Sequence, residues 1–98
     1  MFNIKDIQRA VENIKDFVHK TPLIYSNSFS KMTGAEVYLK AENLQKTSSF
    51  KVRGAFNKMI NVRGKVIAAS MGNHAQAVAF AAGRLRINAK IVMPVIVH

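Results

Sequence analysis

Lys65-Val66-Ile67-Ala68-Ala69-Ser70-Met71-Gly72-Asn73-His74 decides the fold class. Its first six residues form a run of small and β-branched side chains, the pattern of a strand buried on both faces of a parallel sheet. Gly72 permits a tight turn. Ala75, Val78, Ala79, Ala82 and Leu85 then recur at helical spacing, predicting a helix that ends between Gly83 and Arg86. Ala89-Lys90-Ile91-Val92-Met93 reads as a second strand, stopped by Pro94. Strand, glycine turn, helix and strand make a βαβ unit, for which a right-handed crossover is expected. The fold class is therefore α/β.

The turn inside that unit is also a candidate site. A helix start presents open backbone N–H groups and the positive end of the macrodipole, which together favour an anion. Gly72 lets a ligand approach closely, and Ser70 and Asn73 add polar side chains. A carboxylate or a phenolate oxygen would suit the turn. A plainer reading stands beside this one: Asn73 caps its helix, and His74 is an ordinary surface residue.

Upstream lies Thr47-Ser48-Ser49-Phe50-Lys51-Val52-Arg53-Gly54-Ala55. Ser48 or Ser49 can serve as N-cap. Val52, Ala55, Phe56, Met59 and Ile60 give one apolar helical face. Lys51 then falls in the first turn, where the dipole disfavours an ammonium. That field, with Arg53 close by, would push the amine towards its neutral, nucleophilic form. On generic grounds Lys51 is equally a solvated surface lysine. Asn61-Val62-Arg63-Gly64 makes the turn into the βαβ unit.

Further upstream, Asn3 with Asp6 imitates a capping box. Ile4, Ile7, Val11, Ile14, Phe17 and Val18 mark one face of a helix running to about Val18, assigned to core packing. Thr21-Pro22 breaks it. Leu23-Ile24-Tyr25 is extended, Ser28 to Met32 is a short helix followed by Gly34, and Val37-Tyr38-Leu39 is a strand. A loop from Ala41 to Gln45 leads into the Lys51 stretch.

Ninety-eight residues allow at most one small domain. Cysteine is absent, which excludes disulfides and thiolate metal sites. His19, His74 and His98 lie far apart in sequence, so no metal site is expected. The N-terminus lacks the apolar core of a signal peptide, and no apolar run approaches a membrane span; a soluble, cytoplasmic protein is the default expectation. A net charge of +10 would suit a nucleic-acid binder. The cations, however, are scattered singly and are not interleaved with aromatic residues. The excess of cations reads better as the basic part of a longer protein.

Four segments together resemble one family. These are Lys20-Thr21-Pro22-Leu23 with Ser26, Leu39-Lys40-Ala41-Glu42-Asn43-Leu44-Gln45, Ser49-Phe50-Lys51-Val52-Arg53-Gly54-Ala55-Phe56-Asn57-Lys58, and Ser70-Met71-Gly72-Asn73-His74-Ala75-Gln76. The chain, to about Pro94, resembles the N-terminal part of the β-eliminating pyridoxal-phosphate enzymes of fold type II, and among them the threonine dehydratases (threonine ammonia-lyases). Serine racemases and cysteine synthases share the general scheme. The resemblance implies pyridoxal 5'-phosphate as cofactor and a small amino acid, threonine or serine, as substrate. Lys51 would carry the cofactor covalently and then act as base at the substrate Cα. Phe50 would pack beside the ring, and Asn73 would hydrogen-bond its phenolic oxygen. Ser70, Gly72, Asn73 and His74 would bind the substrate carboxylate. Threonine would give 2-oxobutanoate and ammonia, and serine would give pyruvate.

The same resemblance divides the chain into residues 1–58, the start of a large cofactor-binding domain, and 59–98, the start of a small α/β domain. It places the family's glycine-rich phosphate loop beyond His98. A fragment with little activity of its own is therefore expected, from a family whose full-length members are homo-oligomers. No nucleic acid or membrane partner is implied. Ser48 stands where that family has glycine, Met71 where it has alanine and Ala77 where it has glycine. The link from Met59 to Lys65 is shorter than the family's. Two other readings remain: a non-catalytic α/β module that binds a small anion or a sister subunit through Ser70–His74, and a basic nucleic-acid binder.

Overall fold

The structure, a computed structural model, describes residues 1–95. Ile96–His98, the end of the expected second domain, lie outside the described residues. The elements run α1 (Ile4–Ile14), β1 (Leu23–Tyr25), α2 (Asn27–Thr33), β2 (Tyr38–Lys40), two 3-10 turns (Glu42–Leu44 and Lys46–Ser48), α3 (Lys51–Met59), β3 (Val66–Ala69), α4 (Asn73–Leu85) and β4 (Ala89–Val92). β1 and β2 pair antiparallel, with Leu23 opposite Lys40 and Tyr25 opposite Tyr38. β3 and β4 pair parallel, Val66 opposite Ala89 and Ala69 opposite Val92, with α4 between them in the chain. This is the expected βαβ unit.

The capping box of α1 forms. Asn3 Oδ1 accepts from the Lys5 and Asp6 amides at 2.9 and 3.3 Å, and Asp6 Oδ2 accepts from Asn3 N at 2.7 Å. The helix ends at Ile14, short of Val18. Gln45 is the physical cause: its side-chain oxygen accepts from His19 N at 2.8 Å and its nitrogen donates to His19 O at 2.8 Å, drawing the chain away from the helix axis. Its apolar stripe divides at the same place. Ile14 is buried, and Phe17 stacks on Phe56 with ring centroids 4.9 Å apart. Ile4, Ile7 and Val11 are exposed, so the core role assigned to the whole face holds only for its last part.

The core lies between α3 and α4. Val52 and Phe56 are completely buried, against Ala77, Val78, Ala81 and Ala82 of α4. Alanine at i and i+4 on α4 lets the helices approach closely, and Phe56 fills the space between Phe17 and Phe80. β3 differs from expectation. Only Ala68 is buried, and Ile67 is 71% exposed, because α4 covers one face of the β3–β4 pair and no described residue covers the other. α2 runs one residue beyond Ser28–Met32 at each end, with Ser26 Oγ accepting from Phe29 N at 3.1 Å and Gly34 closing it at φ 73°. No helix among the described residues is long and apolar enough to cross a membrane.

Candidate active site

Lys51 is the first residue of α3, as the sequence places it, but the cap differs. Phe50 is the N-cap residue and its side chain makes no capping bond. Ser48 points its backbone elsewhere, at φ 60°, and Ser49 Oγ accepts from Lys51 N only at 3.4 Å. Thr47 and Ser48 both adopt left-handed backbone at φ 60°. Two consecutive non-glycine residues in that region are costly, and a β-branched threonine especially so. Thr47 Oγ1 is buried without a hydrogen-bond partner among the described residues. The chain thus enters α3 through a strained turn. Beyond it the Lys51 ammonium lies 5.6 Å from the centre of the Phe50 ring, and both side chains are exposed.

Arg53 does not stand beside Lys51 as a free cation. Its Nε donates to Glu42 Oε1 at 2.6 Å and its Nη2 to Glu42 Oε2 at 3.0 Å. The Thr21 hydroxyl donates to the same carboxylate, and Arg53 Nη2 lies 3.4 Å from Thr21 Oγ1. The Arg53 hydrogen bonds hold the Glu42 carboxyl down at about 2, against the opposing pull of desolvation and with help from Thr21. Thr21 O in turn accepts from Lys40 Nζ at 2.8 Å. Sequence reasoning missed this network. Its signal was present, since Thr21, Glu42 and Arg53 each sit in a different one of the segments that carry the family resemblance.

At the start of α4, Gly72 is the N-cap residue and provides no side chain. Ser70 does the capping from further back: its Oγ accepts from the Gly72 and Ala75 amides, both at 3.2 Å. Asn73 is the first helical residue, so the reading of Asn73 as a cap is corrected. With Ser70 serving those two amides and Gly72 O accepting from Gln76 N, the N–H groups of Asn73 and His74 have no partner among the described residues. Asn73 and His74 are exposed, and the Ser70 hydroxyl, used twice as acceptor, keeps its proton to donate.

α3, β3 and α4 enclose an open cleft of about 500 Å³. Lys51, Gly54 and Lys58 line it from α3, Ile67 from β3, and His74 and Val78 from α4. Lys51 and His74 therefore share one cleft. Phe50, Ser70, Gly72 and Asn73 are not in its wall; they flank it in the chain, one residue from Lys51 or up to four from His74. Lys65 also lines it, so three of the singly scattered lysines converge on one concavity. A primary amine, an aromatic face and a helix start with open amides can receive an aldehyde that also carries anionic groups.

Comparison with known proteins agrees with that chemistry. Residues 14–98 match the model of the pyridoxal-phosphate dependent enzyme family. The L-threonine ammonia-lyase of Thermotoga maritima is 53% identical over 100 residues, covering 96% of this chain and 25% of that protein. A solved bacterial-type threonine deaminase superposes with a TM-score of 0.83 at 43% identity, over 96% of this chain and 34% of its own. Maize serine racemase superposes at 0.85 with 39% identity, over 94% and 30%. The chain thus spans between a quarter and about a third of the length of these relatives. It belongs to the pyridoxal-phosphate dependent enzyme family, with the α/β architecture of that family's fold type II.

Proposed function

We propose that this chain carries the cofactor lysine and the carboxylate-binding turn of an ammonia-lyase acting on threonine or serine. The observation that carries the proposal is the common cleft of Lys51 and His74. The residues fit pyridoxal 5'-phosphate: Lys51 offers an accessible amine for its aldehyde, Phe50 a ring face, and Asn73 a donor for its phenolic oxygen. When bound, the cofactor supplies an electron sink for negative charge at the substrate Cα.

The remaining work falls to this chain's own groups. The Asn73 and His74 amides, with the Ser70 hydroxyl and the space left by Gly72, hold the substrate carboxylate at the positive end of α4. That fixes the Cα–H bond relative to α3. The Lys51 amine takes the Cα proton as general base. Loss of the β-hydroxyl as water and hydrolysis of the nitrogen-bearing product then give 2-oxobutanoate and ammonia from threonine, or pyruvate and ammonia from serine. Residues 1–58 would begin the larger, cofactor-holding domain and 59–98 the smaller one. The separation of the β1–β2 and β3–β4 pairs into two sheets supports that division.

Incubation with pyridoxal phosphate, borohydride reduction and peptide mapping tests the proposal. Reduction should fix the cofactor on Lys51 in preference to the other lysines, and the Lys51→Ala chain should lose that product. Labelling spread evenly over the lysines would instead favour a non-catalytic module that binds an anion or a sister subunit.

A further inference from the structure

We infer that Thr21, Glu42 and Arg53 form a positioning set that fixes where the Lys51 amine is presented, an inference that rests on the role proposed for Lys51. Arg53 lies two residues after Lys51, in the same first turn of α3. A cation there faces the positive end of the helix and needs a compensating anion. Glu42 supplies it from the preceding 3-10 turn through a two-pronged contact, at 2.6 and 3.0 Å. Such a fork fixes orientation as well as distance, which a lysine in place of Arg53 could not reproduce.

The carboxylate is fixed from its other side. Thr21 is 4% exposed, and its hydroxyl donates to Glu42. Gln45, also 4% exposed and three residues after Glu42, binds both backbone groups of His19 and accepts from Lys46 N at 2.9 Å. Glu42 and Gln45 thus tie the His19–Thr21 loop to one side of the 3-10 turns, while Glu42 alone ties α3 to the other. Between Gln45 and Lys51 runs the strained Thr47–Ser48 turn, with its buried, unpartnered hydroxyl. Left to itself that turn would relax and re-aim the residues that follow. The Arg53 fork closes the loop from Glu42 to α3 and prevents this. None of the three residues is in the wall of the cleft that holds Lys51 and His74, so they act on Lys51 through the helix backbone.

The test uses the 98-residue chain with pyridoxal phosphate and borohydride, read as the share of label on Lys51, together with thermal melting. Glu42→Gln, Arg53→Lys and Thr21→Val should each reduce the Lys51 share towards that of an ordinary surface lysine. Thr21→Ser, which keeps the hydroxyl, should retain it. Ile14→Ala, which removes core contacts remote from the network, should lower the melting temperature and leave the Lys51 share unchanged. If Glu42→Gln proves unfolded, Arg53→Lys and Thr21→Val carry the same comparison. Undiminished Lys51 selectivity in folded Arg53→Lys and Thr21→Val chains would overturn the positioning role and leave the lysine assignment intact. Absence of selectivity in the unaltered chain would overturn the lysine assignment, and the positioning role with it.

Discussion

Arg53 and Glu42 meet through two nearly parallel hydrogen bonds, Nε to Oε1 at 2.6 Å and Nη2 to Oε2 at 3.0 Å, and join a helix start to a turn eleven residues earlier. The pair is largely shielded, with the Glu42 side chain 17% and the Arg53 side chain 33% accessible. It is therefore worth more than a solvent-exposed ion pair, whose contribution is close to zero.

The contact makes stability pH-dependent in a defined window. Glu42 is lowered from the ordinary 4.5 to about 2 in the folded chain. A depressed carboxyl contributes stability that is present above 4.5 and is lost as the pH falls through about 2. Denaturant melts of the unaltered chain should weaken progressively across that interval. Glu42→Gln should cost about 1–2 kcal/mol at neutral pH, a charge-assisted bond reduced by partial screening. It should also show a flatter dependence below 4.5. Parallel pH curves for the two chains would count against the assignment.

Ser48 gives a prediction of opposite sign. At φ 60° its backbone occupies the region that costs a non-glycine residue about 1–2 kcal/mol. Glycine there removes that cost but adds about 0.5–1 kcal/mol of unfolded-chain entropy. The balance favours the variant slightly, so Ser48→Gly should raise the melting temperature by a few degrees. Gly34→Ala, at φ 73°, is the converse and should lower it. A drop in melting temperature for Ser48→Gly would mean that the turn is not left-handed.

That serine also shows where sequence reading stops. The resemblance marks Ser48 as standing where relatives carry glycine, but only the backbone angle gives the reason. Periodicity was sufficient for α3 and α4, because their buried faces pack on each other within the chain. It misled for α1 and β3. Ile4, Ile7, Val11 and Ile67 are apolar on the expected faces, yet no described residue covers them. An amphipathic pattern records that a face is to be covered, and says nothing of what covers it. Lys51 and His74 were legible as separate motifs, whereas their common cleft depends on how α3 packs against α4. The Thr21–Glu42–Arg53 contact was least legible, since its members are far apart in sequence and polar contacts leave no period.

Phe56 measures how much of the fold rests on the α3–α4 contact. It is completely buried, stacked on Phe17 at 4.9 Å and edge-on to Phe80 at 6.0 Å. Removing such a ring forfeits transfer energy and leaves a cavity, together about 3–5 kcal/mol. In a small domain that is a large part of the total stability. Phe56→Ala should therefore abolish a cooperative melt, while Phe56→Leu should keep one at lower temperature. An unchanged melt for Phe56→Ala would place the core elsewhere.

Ser70 separates structural from binding effects at the α4 turn. Its oxygen accepts from the Gly72 and Ala75 amides, both at 3.2 Å. Ser70→Ala removes that acceptor, and loss of a helix cap costs about 0.5–2 kcal/mol. Threonine keeps the oxygen and should restore most of the stability. The amides of Asn73 and His74 do not depend on Ser70, so their capacity to hold an anion should survive in both variants. Asn73→Ala has the opposite profile: the Asn73 side chain caps nothing, so the melt should hardly move, while trapping of pyridoxal phosphate at Lys51 should fall if Asn73 donates to the cofactor. Melting curves and label distribution on the three variants distinguish these cases. A strongly destabilised Asn73→Ala chain would show that Asn73 is structural and remove it from the proposed site.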